Sequence, residues 1–108
     1  MALLATQQAV TSGLTPSYGA VAASDTAVPG DNVMIHVKNG GGSPDTVTLQ
    51  NPTTVDGVAL ANGGKQISVP AGAERMIALP AIYQNPSTGL VTIAHSFTTS
   101  VTCAVIAI

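Results

Sequence analysis

Residues 31–50 read DNVMIHVKNGGGSPDTVTLQ, and this stretch decides the fold class. In its first half apolar residues occupy every second position from Val33, and in its second half Val47 and Leu49 alternate with threonine. Alternation with a period of two predicts β-strands that bury one face. The Gly-Gly-Gly-Ser-Pro sequence at 40–44 favours a turn, so we predict a β-hairpin here.

The same alternation recurs further along the chain, between turns rich in proline and glycine. It appears in KQISVP (65–70), ERMIAL (74–79), LVTIAHSF (90–97) and SVTCAVIAI (100–108). We therefore predict an all-β fold: an antiparallel β-sandwich or small barrel, Ig-like or jelly-roll-like, with about seven strands. Between Pro80 and Pro86 there is room for one short helical turn, near residues 81–84.

The last predicted strand is apolar on both faces. Val101, Cys103 and Val105 share one face, whereas Ala104 and Ile106 lie on the other. A strand of this kind is typically central in a sheet or covered by a partner.

The first 17 residues, MALLATQQAVTSGLTPS, follow no regular pattern. A frayed terminus and a short first strand are both compatible with them; a third interpretation is an extended arm that orders against a partner subunit. We predict an N-terminal arm over 1–17 and a sandwich domain over 18–108. The arm's candidate partner-binding residues are its four large apolar side chains: Leu3, Leu4, Val10 and Leu14.

The chain is unusually poor in charge. Its 108 residues suit one domain, and 7% of them are charged, where about 25% is usual. The three cations do not cluster, so we expect no nucleic-acid partner. The apolar runs are too short to span a bilayer, so we expect no membrane partner either.

A surface built from Thr, Ser, Asn and Gln has few charges to keep molecules apart in solution. We interpret it as a surface that lies against another protein. Arg75 and Lys38 are the charged candidates for that contact, since arginine is enriched at interfaces. The alternative for the adjacent Glu74–Arg75 pair is a solvated corner.

No catalytic motif accompanies these strands, so we predict no enzyme activity and no cofactor. His36, His95 and Cys103 lack the paired spacing of zinc sites, and we predict no metal. His95 lies on an apolar face and needs a hydrogen-bond partner, from the internal backbone or from a subunit interface. The aspartates near turns are expected to accept hydrogen bonds from nearby backbone N–H groups.

Three phrases give the chain a family resemblance: DNVMIHVKNGGGSPDTVTLQ, ISVPAGAERMIALP and NPSTGLVTIAHSFTTSVTCAVIAI. The sequence resembles the small head decoration (capsid cement) proteins of tailed bacteriophages, in the versions found in phages of actinobacteria. The resemblance covers nearly the whole chain, and residues 1–17 and 55–62 match least.

The resemblance implies a structural virion protein that binds the outer surface of an assembled phage head and stabilises it. It implies the major capsid protein as partner, a homotrimer, and a place on the outer capsid surface after synthesis in the host cytoplasm. Two alternatives stay open: a host-surface or glycan-binding module displayed on the particle, and a tail or connector subunit.

Overall fold

The structure is a computed structural model that describes residues 2–50, 54–59 and 64–108. In chain order its elements are β1 (Ala2–Leu3), β2 (Thr6–Gln8), β3 (Gly19–Ala20), β4 (Ser24–Ala27), β5 (Val33–Asn39), β6 (Asp45–Gln50), β7 (Thr54–Val55), β8 (Val58–Ala59), β9 (Gly64–Val69), β10 (Glu74–Ala78), a 3₁₀ turn (Ala81–Tyr83), β11 (Val91–His95) and β12 (Val101–Ala107).

Ten of these strands form two sheets that pack as a sandwich, which confirms the predicted all-β fold. Sheet A has the order β1-β4-β11-β6-β9, and sheet B has the order β10-β5-β12-β2, with β3 also paired to β12. Neighbours are antiparallel except for β1 beside β4 and β2 beside β12. The predicted helical turn is present as the 3₁₀ turn.

About seven strands were predicted for residues 18–108; of the ten sandwich strands in the described part of the chain, eight lie in that range and β1 and β2 precede it. The strands β1 and β3 have two residues each and β2 has three. Segments of this length carry no measurable alternation, so the sequence does not reveal them.

The predicted hairpin at residues 31–50 is wrong in its pairing. Both strands form, but β5 lies in sheet B between β10 and β12, whereas β6 lies in sheet A between β11 and β9. Alternation predicts which face of a strand is buried, but it does not predict which strands are hydrogen-bonded to it. The glycine-rich segment is therefore a corner that passes from one sheet to the other.

Asn39 fixes this corner from inside the sandwich. Its side-chain amide donates to the carbonyl oxygens of Ser43 at 2.8 Å and Val69 at 3.0 Å, and its Oδ1 accepts from the N–H of Gly41 at 3.0 Å. A Cβ on Gly41 would lie 2.4 Å from both the carbonyl oxygen of Thr99 and a ring carbon of Phe97. The close approach of these loops requires glycine at 41.

The core lies between the two sheets and is filled by the inward positions of their strands. Ile35 and Val37 of β5 face it from sheet B, and Val47, Leu49 and Ile93 face it from sheet A. These are the residues that the alternation assigns to the buried face.

The strand β12 is central in sheet B and is buried on both faces, as the sequence predicted. Ala104 and Ile106 point away from the core, yet Ile106 is only 8% exposed. On the neighbouring strand β5, Tyr18 contacts this outer face at His36, which pairs with Ala104. We call residues 9–18, which end at Tyr18, the N-terminal strap.

The N-terminal segment runs along the edges of both sheets. The strand β1 extends sheet A beside β4, and β2 extends sheet B beside β12. The strap then leads back to β2, where the side-chain amide of Gln7 donates to the carbonyl of Ser17 and accepts from its N–H, both at 2.8 Å. In the single chain this segment thus includes a short first strand. The division into an arm over 1–17 and a domain over 18–108 stays a prediction.

Candidate partner-binding surfaces

The outer face of sheet A carries no charged side chain at the positions that the structure describes. The charged residues of these strands lie at inward-facing positions of the alternation. Asp25 pairs with Ile93, Asp45 with Val69 and Lys65 with Leu49. The positions left facing outward are Leu3, Ser24, Thr26, Thr46, Thr48, Gln50, Gly64, Gln66, Ser68, Thr92 and Ala94.

The hydroxyl groups of this face form cross-strand neighbours. Thr26 lies opposite Thr92, and Thr48 lies between Ala94 on one side and Gln66 on the other. The cross-strand spacing in a sheet is about 4.8 Å, so these side chains form a continuous array. We call this array the hydroxyl face; it can exchange hydrogen bonds with a partner without burying an unpaired charge.

A polar cluster on the outer face of sheet B forms where Tyr18, at the end of the strap, meets β5. The hydroxyl of Tyr18 lies 2.7 Å from Nδ1 of His36, and the ammonium of Lys38 lies 4.0 Å from the centre of the Tyr18 ring. On the other side of the imidazole, Nε2 of His36 lies 3.4 Å from a carboxylate oxygen of Glu74. His36 is on the outward-facing parity, as predicted, but only 6% exposed. The cluster holds the strap against sheet B.

A cavity of about 430 Å³ separates β2 from β3 along the edge of β12. Cys103 contributes to its wall together with Leu4, Tyr18 and Val105. Burial, assisted by the negative charge of Asp25, raises the pKa of the Cys103 thiol to about 11. The thiol is therefore protonated at neutral pH, which makes it a packing group and a poor nucleophile.

His95 finds a partner that the sequence did not predict. Its Nδ1 lies 2.7 Å from Oδ2 of Asp45, and both side chains are 0% exposed. The other oxygen of Asp45 accepts from the backbone N–H of Phe97 at 3.2 Å. The partner is thus an internal carboxylate, in place of either the backbone or the interface that we considered. Asp45 joins two strands of sheet A, whereas Asp25 accepts from the nearby N–H of Ala22, as expected of a turn aspartate.

The three residues considered for zinc lie apart in this arrangement. His36 is on the outer face of sheet B, and His95 is in the core against Asp45. Within the described ranges, no three His, Cys, Asp or Glu side chains are grouped so as to hold a metal ion. Over the same ranges, no helix is long and apolar enough to cross a membrane.

The six predicted contact residues do not form one surface. Leu3 and Val10 are exposed, whereas Leu4 and Leu14 are half-buried, Leu4 against the core. Lys38 is half-buried over the Tyr18 ring, and Arg75 is exposed on the neighbouring strand β10. The structure brings Lys38 and Arg75 onto adjacent strands, and it places them across sheet B from the N-terminal residues.

The sequence predicted neither the hydroxyl face nor the contact between Tyr18 and His36. The threonines in TVTLQ and LVTIA alternate with core residues, so they point outward, and they define much of the hydroxyl face once the two strands are known to be neighbours. The contact between Tyr18 and His36 joins a loop to a strand and has no local sequence signal.

Comparison of the chain with family models, with curated proteins and with solved structures gave no significant match.

Proposed function

We propose that this protein is a structural component of a phage particle, a decoration protein that binds the outer surface of the assembled head and stabilises it. Its partner is the major capsid protein, and its working form is a homotrimer. This proposal takes its direction from the family resemblance of the sequence.

The hydroxyl face is the observation that carries the proposal. Four strands of sheet A, β4, β11, β6 and β9, present Thr, Ser, Gln and small residues outward without a charge. A flat face of this chemistry is suited to pack against a protein wall, since no ion has to be desolvated on contact.

Stabilisation then follows from mass action. A protein that binds the assembled shell and not its separated subunits shifts the equilibrium towards the shell. The repeated sites of an icosahedral lattice make attachment multivalent, so a modest affinity at each contact is enough.

The aromatic residues favour this function over glycan binding. Sugar sites generally need aromatic rings that stack on the ligand, and the chain has two tyrosines and one phenylalanine. Tyr18 is bonded to His36, while Tyr83 and Phe97 pack against the core. None of the three is an exposed ring.

Copy number in purified virions tests the proposal directly. Quantitative mass spectrometry, referenced to the major capsid protein, is expected to give a simple fraction that corresponds to hundreds of copies. A handful of copies would place the protein in the tail or connector instead, and its absence from particles would refute a virion role.

Surface variants test the role of the hydroxyl face. Thr48→Lys places a charge in the middle of the array and is expected to weaken binding to heads that lack the protein by at least about tenfold. Ser87→Lys adds the same charge in an exposed turn and serves as the control. Equal binding by both variants would exclude this face as the contact.

A further inference from the structure

The strand β10 leaves one edge of sheet B open. It is the last strand in the order β10-β5-β12-β2, and within the described residues no strand lies beyond it. The opposite edge is different, because β2 and β3 both lie along β12 there. An open edge presents backbone donors and acceptors that a further strand can use.

The register shows which backbone groups are available. The N–H of Leu79 donates to the carbonyl of Val33 at 3.0 Å, and β10 continues antiparallel to β5 from there. Bonded pairs alternate in an antiparallel ladder, so Arg75 and Ile77 also bond to β5. The N–H and C=O groups of the intervening residues face away from the sheet: Glu74, Met76 and Ala78.

Two side chains, Met76 and Arg75, flank the open backbone groups of this edge. Met76 is 64% exposed beside these backbone groups. Nη1 of Arg75 lies 3.3 Å from the carbonyl oxygen of Glu74, so the guanidinium rests on the open edge.

Two of the three cations lie on the edge strands at this side of the sandwich. Arg75 is on β10 and Lys65 is on β9, the edge strand of sheet A, whereas the ammonium of Lys38, on β5, lies over the Tyr18 ring. Residues 70–73 alone connect β9 to β10, so the two edge strands lie at the same side of the sandwich. The acid among them, Glu74, faces His36.

We propose that β10 is a docking edge for an extended acidic segment of the partner, which adds to sheet B as a further strand. The inference rests on the proposed function, in that the partner is the shell protein. Main-chain hydrogen bonds to the open edge provide the attachment, and alternate side chains of the segment contact Met76. Carboxylates of the segment pair with Arg75 and Lys65, which selects an acidic sequence.

A proline substitution on the open edge tests strand addition. Met76→Pro removes an N–H that faces away from the sheet, which an edge strand tolerates. Met76→Ala shortens the same side chain and keeps the N–H, so it is the matched control. With heads that lack the protein as the probe, we expect the proline variant to bind at least about tenfold more weakly than the alanine variant.

Hydrogen exchange gives a reading that does not depend on a variant. On binding of the wild-type protein to the same heads, the amides of Met76 and Ala78 are expected to gain protection, since each becomes a ladder donor. Wild-type binding without that protection, or equal binding by both Met76 variants, would overturn the docking edge and leave the proposed function standing. Failure of the wild-type protein to bind heads would overturn both.

Charge variants test the acidic character of the segment. Arg75→Gln and Lys38→Gln remove the same charge from adjacent strands, but only Arg75 lies on the open edge. We expect Arg75→Gln to weaken head binding severalfold more than Lys38→Gln, with the difference shrinking as salt is raised. If Arg75→Gln binds heads as tightly as the wild type but begins to self-associate, the arginine only prevents pairing of β10 with a second copy of the chain. That result would overturn the proposal.

Discussion

The buried pair between His95 and Asp45 yields a prediction whose size follows from its contacts. His95→Leu keeps most of the side-chain volume but removes the donor that lies 2.7 Å from Oδ2 of Asp45. Among the described residues, the carboxylate, at 0% exposure, then keeps the hydrogen bond from the N–H of Phe97 at 3.2 Å. Removal of one partner from a buried ion pair or charged hydrogen bond typically costs about 3–5 kcal/mol.

The second substitution, Asp45→Ala, changes what His95→Leu costs. In Asp45→Ala, the imidazole of His95 has no carboxylate to donate to. Replacing His95 by leucine in that background is close to a volume-conserving exchange, which destabilises a protein by less than about 1.5 kcal/mol. We therefore expect the two substitutions to be strongly sub-additive, with a coupling free energy of about 2 kcal/mol or more.

Urea unfolding followed by circular dichroism, on the four members of this cycle, measures the coupling. A domain of this size has a free energy of unfolding of about 5–15 kcal/mol. The free-energy changes expected for the single and double variants are a large fraction of that value, so the unfolding curves can resolve them. Equal costs for His95→Leu in the presence and absence of Asp45 would refute the reasoning, since the pair would then contribute no coupled free energy.

Three further predictions follow from single contacts. Gly41→Ala is expected to destabilise the fold by about 1–3 kcal/mol in thermal or urea unfolding, because its Cβ meets Phe97 and Thr99; Gly42→Ala, whose Cβ meets nothing within 4 Å, is the control and should be neutral or slightly stabilising. Burial raises the pKa of Cys103 from 9.0 to about 11, so the folded state binds the thiol proton more tightly than the unfolded state does. The thiol's contribution to the free energy of unfolding is therefore intact below pH 9.0 and is lost as the pH rises towards 11. In parallel urea titrations over that window, Cys103→Ala should lose less stability than the wild type. Tyr18→Phe removes the hydroxyl bonded to His36 and should raise amide exchange in the strap residues 9–18 while the amides of β12 stay protected; unchanged exchange would show that this hydrogen bond does not hold the strap.

The sequence predicted the strands that have a regular alternation and could not predict how they associate. The strands β5, β6, β9, β10, β11 and β12 lie where the pattern placed them, because each is five residues or longer and its alternation can be read in the sequence. Alternation is a local property, whereas the choice of neighbour depends on the whole core. That is why the glycine-rich corner at 40–44 was assigned to a hairpin and in fact joins two sheets.

The sequence predicted which side chains of a strand point outward, because that follows from their positions in the alternation. The outward position of His36 followed from its neighbours in the alternation, and the threonines of β6 and β11 point outward for the same reason. The cover over His36 did not follow, because the strap reaches it from residues 9–18 by way of Tyr18. Contacts between a loop and a distant strand depend on tertiary packing, which a pattern of period two does not encode.

The two outer faces of the sandwich differ in what a partner can reach. In sheet B, Tyr18 lies against His36 on the outer face, so contact with that part of the face would first require the release of Tyr18. Over the described residues, the outward positions of the hydroxyl face are exposed or half-buried. Binding through a preformed face avoids the cost of ordering or displacing a segment. In the proposed arrangement, the hydroxyl face and the edge of β10 would bind the partner while Tyr18 stays against His36. The hydrogen-exchange experiment would show this as protection at Met76 with no loss of protection over residues 9–18.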